Sequence, residues 1–327
     1  MNILVTGGSG FLGSYVMAAL ESRGHKALNF DLAPPQPDLL SLSRTESETF
    51  RSGQIGDYDR LLEICRNEGI ESIVHGAALL GLEPSLHRQK EFYATNVMGF
   101  VNVCEIARAL GLRKLILVSS NAVYHASSNA KLLETDEPFS IVRGNPAAHY
   151  GTSKMAAEAI GMAYAQFHNV DFLAIRVTAV YGFGMRSPIH IKPMVENSLL
   201  GKPTRFETGG KMKRDYTYVL DCADAIATAV DAPALPFGSQ RVFNVSAGKV
   251  CTVSQVAQLV RSVIPGAQIE VGSELTALEE ANLKMRAPLD NGCAERHLNW
   301  SSKWTIEEGV RDYANRFSHF AQHGHSV

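Results

Sequence analysis

The chain has 327 residues, of which 45% are hydrophobic and 20% charged, and a formal net charge of -2. That content can bury a large core, which excludes a disordered or repeat protein; the length suits one large α/β unit or a nucleotide-binding domain with a smaller second lobe. With 31 basic and 33 acidic residues, the charges give no electrostatic reason to expect nucleic acid or a membrane surface as partner.

The first predicted element is an apolar strand over 2–6, and a helix follows over 11–23. Between and into them run Gly7, Gly10, Phe11, Leu12 and Gly13. Small residues at this spacing let the backbone approach a pyrophosphate, while the helix amino end offers N–H groups that have no partner inside the helix. A second strand over 26–31 ends at Asp31, placed to accept hydrogen bonds from an adenosine ribose and to repel a 2′-phosphate. No arginine follows among residues 32 to 43, so NAD is expected rather than NADP; a turn or cap role is the plain alternative for Asp31. Pro34, Pro35 and Pro37 then break the pattern. Gln54 and Ile55 are expected beside the adenine, with Asp57 as N-cap of a helix over 57–68.

A strand over 71–75 leads into His75-Gly76-Ala77-Ala78, whose small residues suit close approach of a ribose or nicotinamide at Ala77, or tight helix–strand packing. His75 reads as a satisfied core histidine. One continuous helix is predicted over 88–110, with an apolar band broad enough to pack on both the sheet and a partner. A strand over 114–119 ends in Ser119-Ser120, and a helix over 150–168 starts at Tyr150 with Lys154 one turn later. Spaced four apart, phenol and ammonium share a face, so the cation can favour the phenolate and make tyrosine a base near neutral pH. A hydroxyl at Ser120 would point into the same cleft and share the substrate oxygen. His149 is either an extra cleft donor or a packing residue.

After the strand over 171–177 the texture changes: helices near 190–200, 221–231, 253–263 and 305–317 alternate with short strands and proline-containing loops. The expected fold is therefore α/β, a doubly wound, Rossmann-type parallel sheet over residues 1–177 with a smaller α/β substrate lobe over 178–327, and some crossing of the chain between them. Five scattered cysteines without a C-x-x-C pair point to reduced thiols, not disulfides or zinc. His319, His323 and His325 lie beyond the last helical pattern and read as a fraying tail, so no metal site is expected. Without a leader pattern or a membrane-length apolar run, a cytoplasmic location is expected.

With Ser120, Tyr150 and Lys154 in this order after the glycine turn, the chain resembles the extended short-chain dehydrogenase/reductase family, in its NAD-dependent nucleotide-sugar epimerase and dehydratase branch. The resemblance covers nearly the whole chain. It extends to Asn96 in Ala94-Thr95-Asn96-Val97, to Arg176 before Ala179-Val180-Tyr181-Gly182, and to Arg214-Asp215-Tyr216-Thr217-Tyr218-Val219 followed by Asp221. It implies that Tyr150 takes the hydroxyl proton, Ser120 holds the oxygen and Lys154 binds the nicotinamide ribose. Asn96 and Val177 join the expected cofactor contacts, Asn121 the substrate contacts, and Arg214 would hold a diphosphate; a surface salt bridge to Asp215 or Asp221 is the alternative for Arg214. The helices near 88–110 and 150–168 would pair across a two-fold axis as a homodimer.

Dehydratases of the family carry an acidic pair after the hydroxyl residue, decarboxylases a glutamate and 3,5-epimerases a cysteine at the second position; this chain has Asn121 and Ala122. That leaves oxidation with return of the hydride, as in a UDP-sugar 4-epimerase, or oxidation alone. Ala179 stands where many nucleotide-sugar enzymes have an asparagine, and His125 replaces a usual glycine. Arg186, with His190 and Lys192, could instead grip the carboxylate of a sugar acid or hydroxy acid, giving a dehydrogenase that releases NADH; solvated loop charges are the alternative.

Overall fold

The computed structural model describes residues 1–40, 49–124, 130–136, 148–283 and 287–323. Five predicted strands form where the apolar runs lie: β1 (Asn2–Thr6), β2 (Lys26–Asp31), and, after a further strand β3 (Phe50–Ser52), β4 (Ser72–His75), β5 (Lys114–Ser120) and β6 (Phe172–Val177). With Val242–Val245 they make one parallel seven-stranded sheet, in the order Val242–Val245, β6, β5, β4, β1, β2, β3. The strand order reverses between β1 and β4, which opens a crevice at their carboxyl ends where Thr6 pairs with His75.

Alternation along the strands sends side chains into two cores, as a sheet covered on both faces requires. Ile3 and Val5 enter one core with the helices Phe11–Ser22 and Val219–Asp231, whereas Leu4 enters the other with Tyr58–Asn67, Gly99–Leu110 and Ala148–His168. The chain returns to the first layer well after residue 178: Val242–Val245 pairs with Ala174–Val177 of β6, in register.

The sequence pattern misses two strands of the sheet. β3 is three residues at an edge, Phe-Arg-Ser, and too short to show a period; Val242–Val245 is a four-residue run interrupted by the buried Asn244. The helix predicted over 88–110 is not continuous. It runs as Gln89–Tyr93, one π-helical stretch Ala94–Met98, then Gly99–Leu110. Gly99 lies in close contact here, since a Cβ on it would stand 2.6 Å from Ile55 Cγ2. The last helix, Ile306–His323, extends past the predicted end, so His319 belongs to it and is not tail; His325 lies outside the described residues. Among the described residues no group of acidic, histidine or cysteine side chains could hold a metal, the cysteines are free thiols, and no helix is long and apolar enough to cross a membrane.

Candidate active site

A cavity of about 1030 Å³ opens along the carboxyl ends of the strands, from the turn after β1 to Arg214. Gly7 (φ +75°) and Gly13 are demanded by space: a Cβ would meet Ala77 N at 2.7 Å and Gly7 O at 2.1 Å respectively. Gly10 caps the helix Phe11–Ser22 with no side-chain hydrogen bond, so the first amides of that helix remain available to an anion. Asp31 sits in the cavity wall, its Oδ2 accepting from Ser9 N (3.1 Å) and its Oδ1 from Leu32 N (2.7 Å). Burial raises its pKa against those two amide bonds. Phe11, Leu12, Gln54, Ile55, Ala77 and Val177 also line the cavity, and Asn102 Nδ2 holds the backbone at Ile55 O (3.1 Å). Asp57 caps its helix by accepting from Arg60 N (3.0 Å). These groups fit a dinucleotide: small residues under a pyrophosphate, free helix amides and a carboxylate at the ribose end.

Asn96, on the π-helical turn, is buried: Oδ1 accepts from Leu79 N (2.8 Å), and Nδ2 donates to Leu79 O (3.0 Å) and Ser153 Oγ (3.0 Å). Ser153 in turn donates to Tyr150 O (2.7 Å), so Asn96 ties the helix Ala148–His168 to the loop after β4.

Ser120, Tyr150 and Lys154 all line the cavity. The Ser120 hydroxyl hydrogen-bonds to the Tyr150 phenol, and Lys154 Nζ donates to Val118 O (2.8 Å). The expectation that the ammonium lowers the tyrosine is not met in this arrangement. Burial raises the Tyr150 pKa, and the group opposing it is Ser120; the lysine, committed to a carbonyl, is itself pulled down by burial to about 8, against the Glu158 carboxylate. Glu158 continues the Tyr150–Lys154 face one turn further. It pairs with the buried Arg176 (2.7 Å) and accepts from Ser119 Oγ; Arg176 also donates to Tyr124 Oη (2.7 Å), which donates to Asn244 Oδ1 (2.7 Å). Sequence reasoning placed Arg176 in a motif but missed Glu158, whose signal was the i+8 spacing from Tyr150.

His75 is a core residue, bonded to Thr6 Oγ1 (2.8 Å) and pulled down to about 3 by burial and the nearby Lys154 ammonium. His149 packs away against Tyr93, with Nδ1 2.8 Å from its hydroxyl.

At the substrate end, Asn121, Ala122, Ala179, Arg186 and Arg214 all line the cavity. Arg214 forms no ion pair among the described residues, and its Nε is buried without a partner. Its neighbours are engaged elsewhere: Asp215 Oδ2 accepts from Leu289 N (3.1 Å), and Asp221 from Ser302, Lys303 and Trp304. The surface salt bridge considered for Arg214 is therefore absent. Burial pushes Asp215 up to about 6. Arg186 lines the cavity, half-exposed and paired with Asp38 (2.6 Å), whereas Lys192 pairs with Glu196 outside the cavity lining. His125 lies outside the described residues.

A doubly wound sheet with a phosphate turn, a ribose-end carboxylate and a Ser–Tyr–Lys centre defines a nicotinamide-dependent oxidoreductase acting on an alcohol carbon. The chain belongs to the NAD dependent epimerase/dehydratase family, whose sequence model matches residues 3–246. It is similar to UDP-glucuronate 4-epimerase of Thermodesulfobacterium geofontis, 27% identical over 95% of this chain and 94% of that one. UDP-glucose 4-epimerase of Mycolicibacterium smegmatis is 28% identical over 98% of this chain and all of its own. Among solved structures, UDP-glucose 4-epimerase of Thermotoga maritima with UDP-glucose superposes with a TM-score of 0.81 at 25% identity, covering 98% of this chain and 100% of that one.

Proposed function

We propose that the protein is a UDP-sugar 4-epimerase that inverts a sugar carbon through a transient ketone. The observation that carries this reading is Arg214, a cation in the cavity wall with no ion-pair partner among the described residues. A guanidinium presents paired donors to phosphate oxygens, and leaving one half-buried and unpaired is costly unless a ligand completes it. Ala122 beside Asn121 supplies no acid or base for eliminating water or for deprotonating a neighbouring carbon, which leaves reduction of the ketone or its release.

NAD+, when bound, supplies the hydride acceptor and, once reduced, the donor that returns it. Tyr150 Oη takes the proton of the reacting hydroxyl and gives it back after the sugar has turned its other face. Ser120, hydrogen-bonded to that phenol, holds the same oxygen and balances its charge as it becomes a carbonyl. Lys154, protonated below about pH 8, holds the cofactor ribose. Asp31 supports NAD over NADP, because a 2′-phosphate there would face a carboxylate. The exposed Met98 and Met162, on the two helices that the family resemblance places in a dimer interface, support a homodimer.

Purified protein with NAD+ should convert UDP-glucose or UDP-glucuronate to its C4 epimer, seen by NMR, without accumulation of NADH absorbance. Stoichiometric NADH from a free sugar acid or polyol, with UDP-sugars inert, would replace the epimerase with a dehydrogenase.

A further inference from the structure

The loop that follows the strand Ala179–Tyr181 is fastened to the nucleotide-binding half of the chain at three points. Tyr15, one turn along its helix from the cavity-lining Phe11, donates its hydroxyl proton to Phe183 O (3.0 Å). Leu39, buried in the short helix Pro37–Leu40, packs on Gly184, where a Cβ would run into Leu39 Cδ2 and where φ is +83°. Glycine is needed there on both counts. Just beyond it, Arg186 Nη2 pairs with Asp38 Oδ1 at 2.6 Å.

These contacts join two segments that both run into the wall of the cavity. Asp38 and Leu39 lie on the stretch that continues from β2, whose last residue, Asp31, lines the ribose end together with Leu32. Arg186, Ser187 and Ile189 line the same cavity from the C-terminal lobe. The Asp38–Arg186 pair therefore spans from the cofactor side of the cavity to the lobe opposite. The three fastenings differ in permanence. Tyr15 and Leu39 are almost wholly buried, at 3% and 1% exposure, and hold the two segments against each other. The Arg186 side chain is 54% exposed and that of Asp38 16%; an ion pair so open to water breaks and re-forms readily. Arg186 is thus free to swing away from Asp38 while the buried contacts keep their places.

We propose that the Asp38–Arg186 ion pair is a clasp over the cofactor end of the cavity, closed while the dinucleotide is held and open while it enters or leaves. The inference rests on the dinucleotide site and is independent of which sugar is bound. A clasp of this kind keeps the reduced cofactor beside a ketone until the hydride returns. Because the pair is made of two protein groups, it slows entry and exit alike and leaves the affinity unchanged.

The test uses Asp38→Asn and Arg186→Gln, singly and together, with NADH as probe. Rapid mixing followed by nicotinamide fluorescence gives the rate of NADH association, and displacement by excess NAD+ gives its rate of release. Each single variant should raise both rates by about two- to fivefold, the effect of losing one partly exposed ion pair, with Kd within twofold of the parent. The double variant should be no faster than the singles, since all three remove the same interaction. Arg186→Gln, at the more exposed partner, keeps the test available if Asp38→Asn disturbs folding. Unchanged entry and release in the variants would overturn the clasp. Affinity lost in Arg186→Gln alone, with association unaltered, would overturn it too, because that pattern makes Arg186 a direct ligand of the cofactor. No NADH binding by the wild-type protein would overturn the dinucleotide site and the clasp together.

Discussion

Glu158→Gln separates the structural from the electrostatic work of the charge cluster under Lys154. Glu158 and Arg176 are almost fully buried, with side chains 7% and 5% exposed, and their nearest atoms are 2.7 Å apart. Replacing the carboxylate by an amide keeps the shape and leaves the Arg176 cation buried without a counter-charge, a change that costs about 3–5 kcal/mol. Unfolding entropy of roughly 2.1 cal/mol/K per residue gives about 0.7 kcal/mol/K for a chain of this length, so Tm should fall by about 4–7 °C. The same substitution removes the group that holds the Lys154 pKa up against burial. The depressed lysine loses its proton as pH rises through its folded pKa, so the alkaline limb of kcat/KM moves to lower pH. If the lysine falls one unit from about 8, the protonated fraction drops from roughly nine-tenths to half at pH 7, and from half to about one-tenth at pH 8. Calorimetric melting and a pH–rate profile between pH 6 and 9 check both parts. A variant that melts within a degree of the parent, or whose alkaline limb stays in place, would refute the charge-balance argument, the first outcome on its stability side and the second on its catalytic side.

Tyr150→Phe removes the proton acceptor and leaves the cavity wall; turnover should fall at least about 100-fold while NAD+ affinity measured by fluorescence or calorimetry stays within twofold of wild type. Activity near the wild-type level would remove Tyr150 from the mechanism. Arg214→Met should weaken UDP-sugar binding by about 1.5–3 kcal/mol, roughly tenfold to more than a hundredfold, with NAD+ binding unchanged; an unaltered KM would show that the diphosphate lies elsewhere. Charged residues at Val97 and Val101, which flank the exposed Met98 on the π-helical turn and the helix after it, should yield monomers by light scattering, whereas an unchanged dimer would reject that interface.

Much of the fold and cofactor end could be read from the chain because it depends on local rules. β1 and the glycine turn declare themselves through an apolar run followed by small residues, and the structure shows why no side chain is tolerated: a Cβ on Gly13 would sit 2.1 Å from a carbonyl oxygen. Tyr150 and Lys154 are legible because a helix converts a spacing of four into a shared face. β3 was silent, being three residues long with no room for a period. The π-helical turn at Ala94–Met98 was equally silent, because the residues around it keep an ordinary helical pattern, while Asn96 within it bonds to groups distant in sequence, the Leu79 backbone and Ser153.

The electrostatics of the site were the least legible part, since they depend on burial and on partners distant in sequence. Spacing alone predicts that Lys154 acidifies Tyr150; in the folded protein the ammonium is bonded to Val118 O and burial dominates the phenol. The oxidised nicotinamide ring is cationic, so a bound NAD+ would favour the phenolate of Tyr150 against its burial and would couple cofactor occupancy to proton abstraction. A Tyr150 pKa measured by ultraviolet difference titration should be lower with NAD+ than with NADH; equal values in the two redox states would sink this coupling and place the activation of the phenol on Lys154 and Ser120 alone.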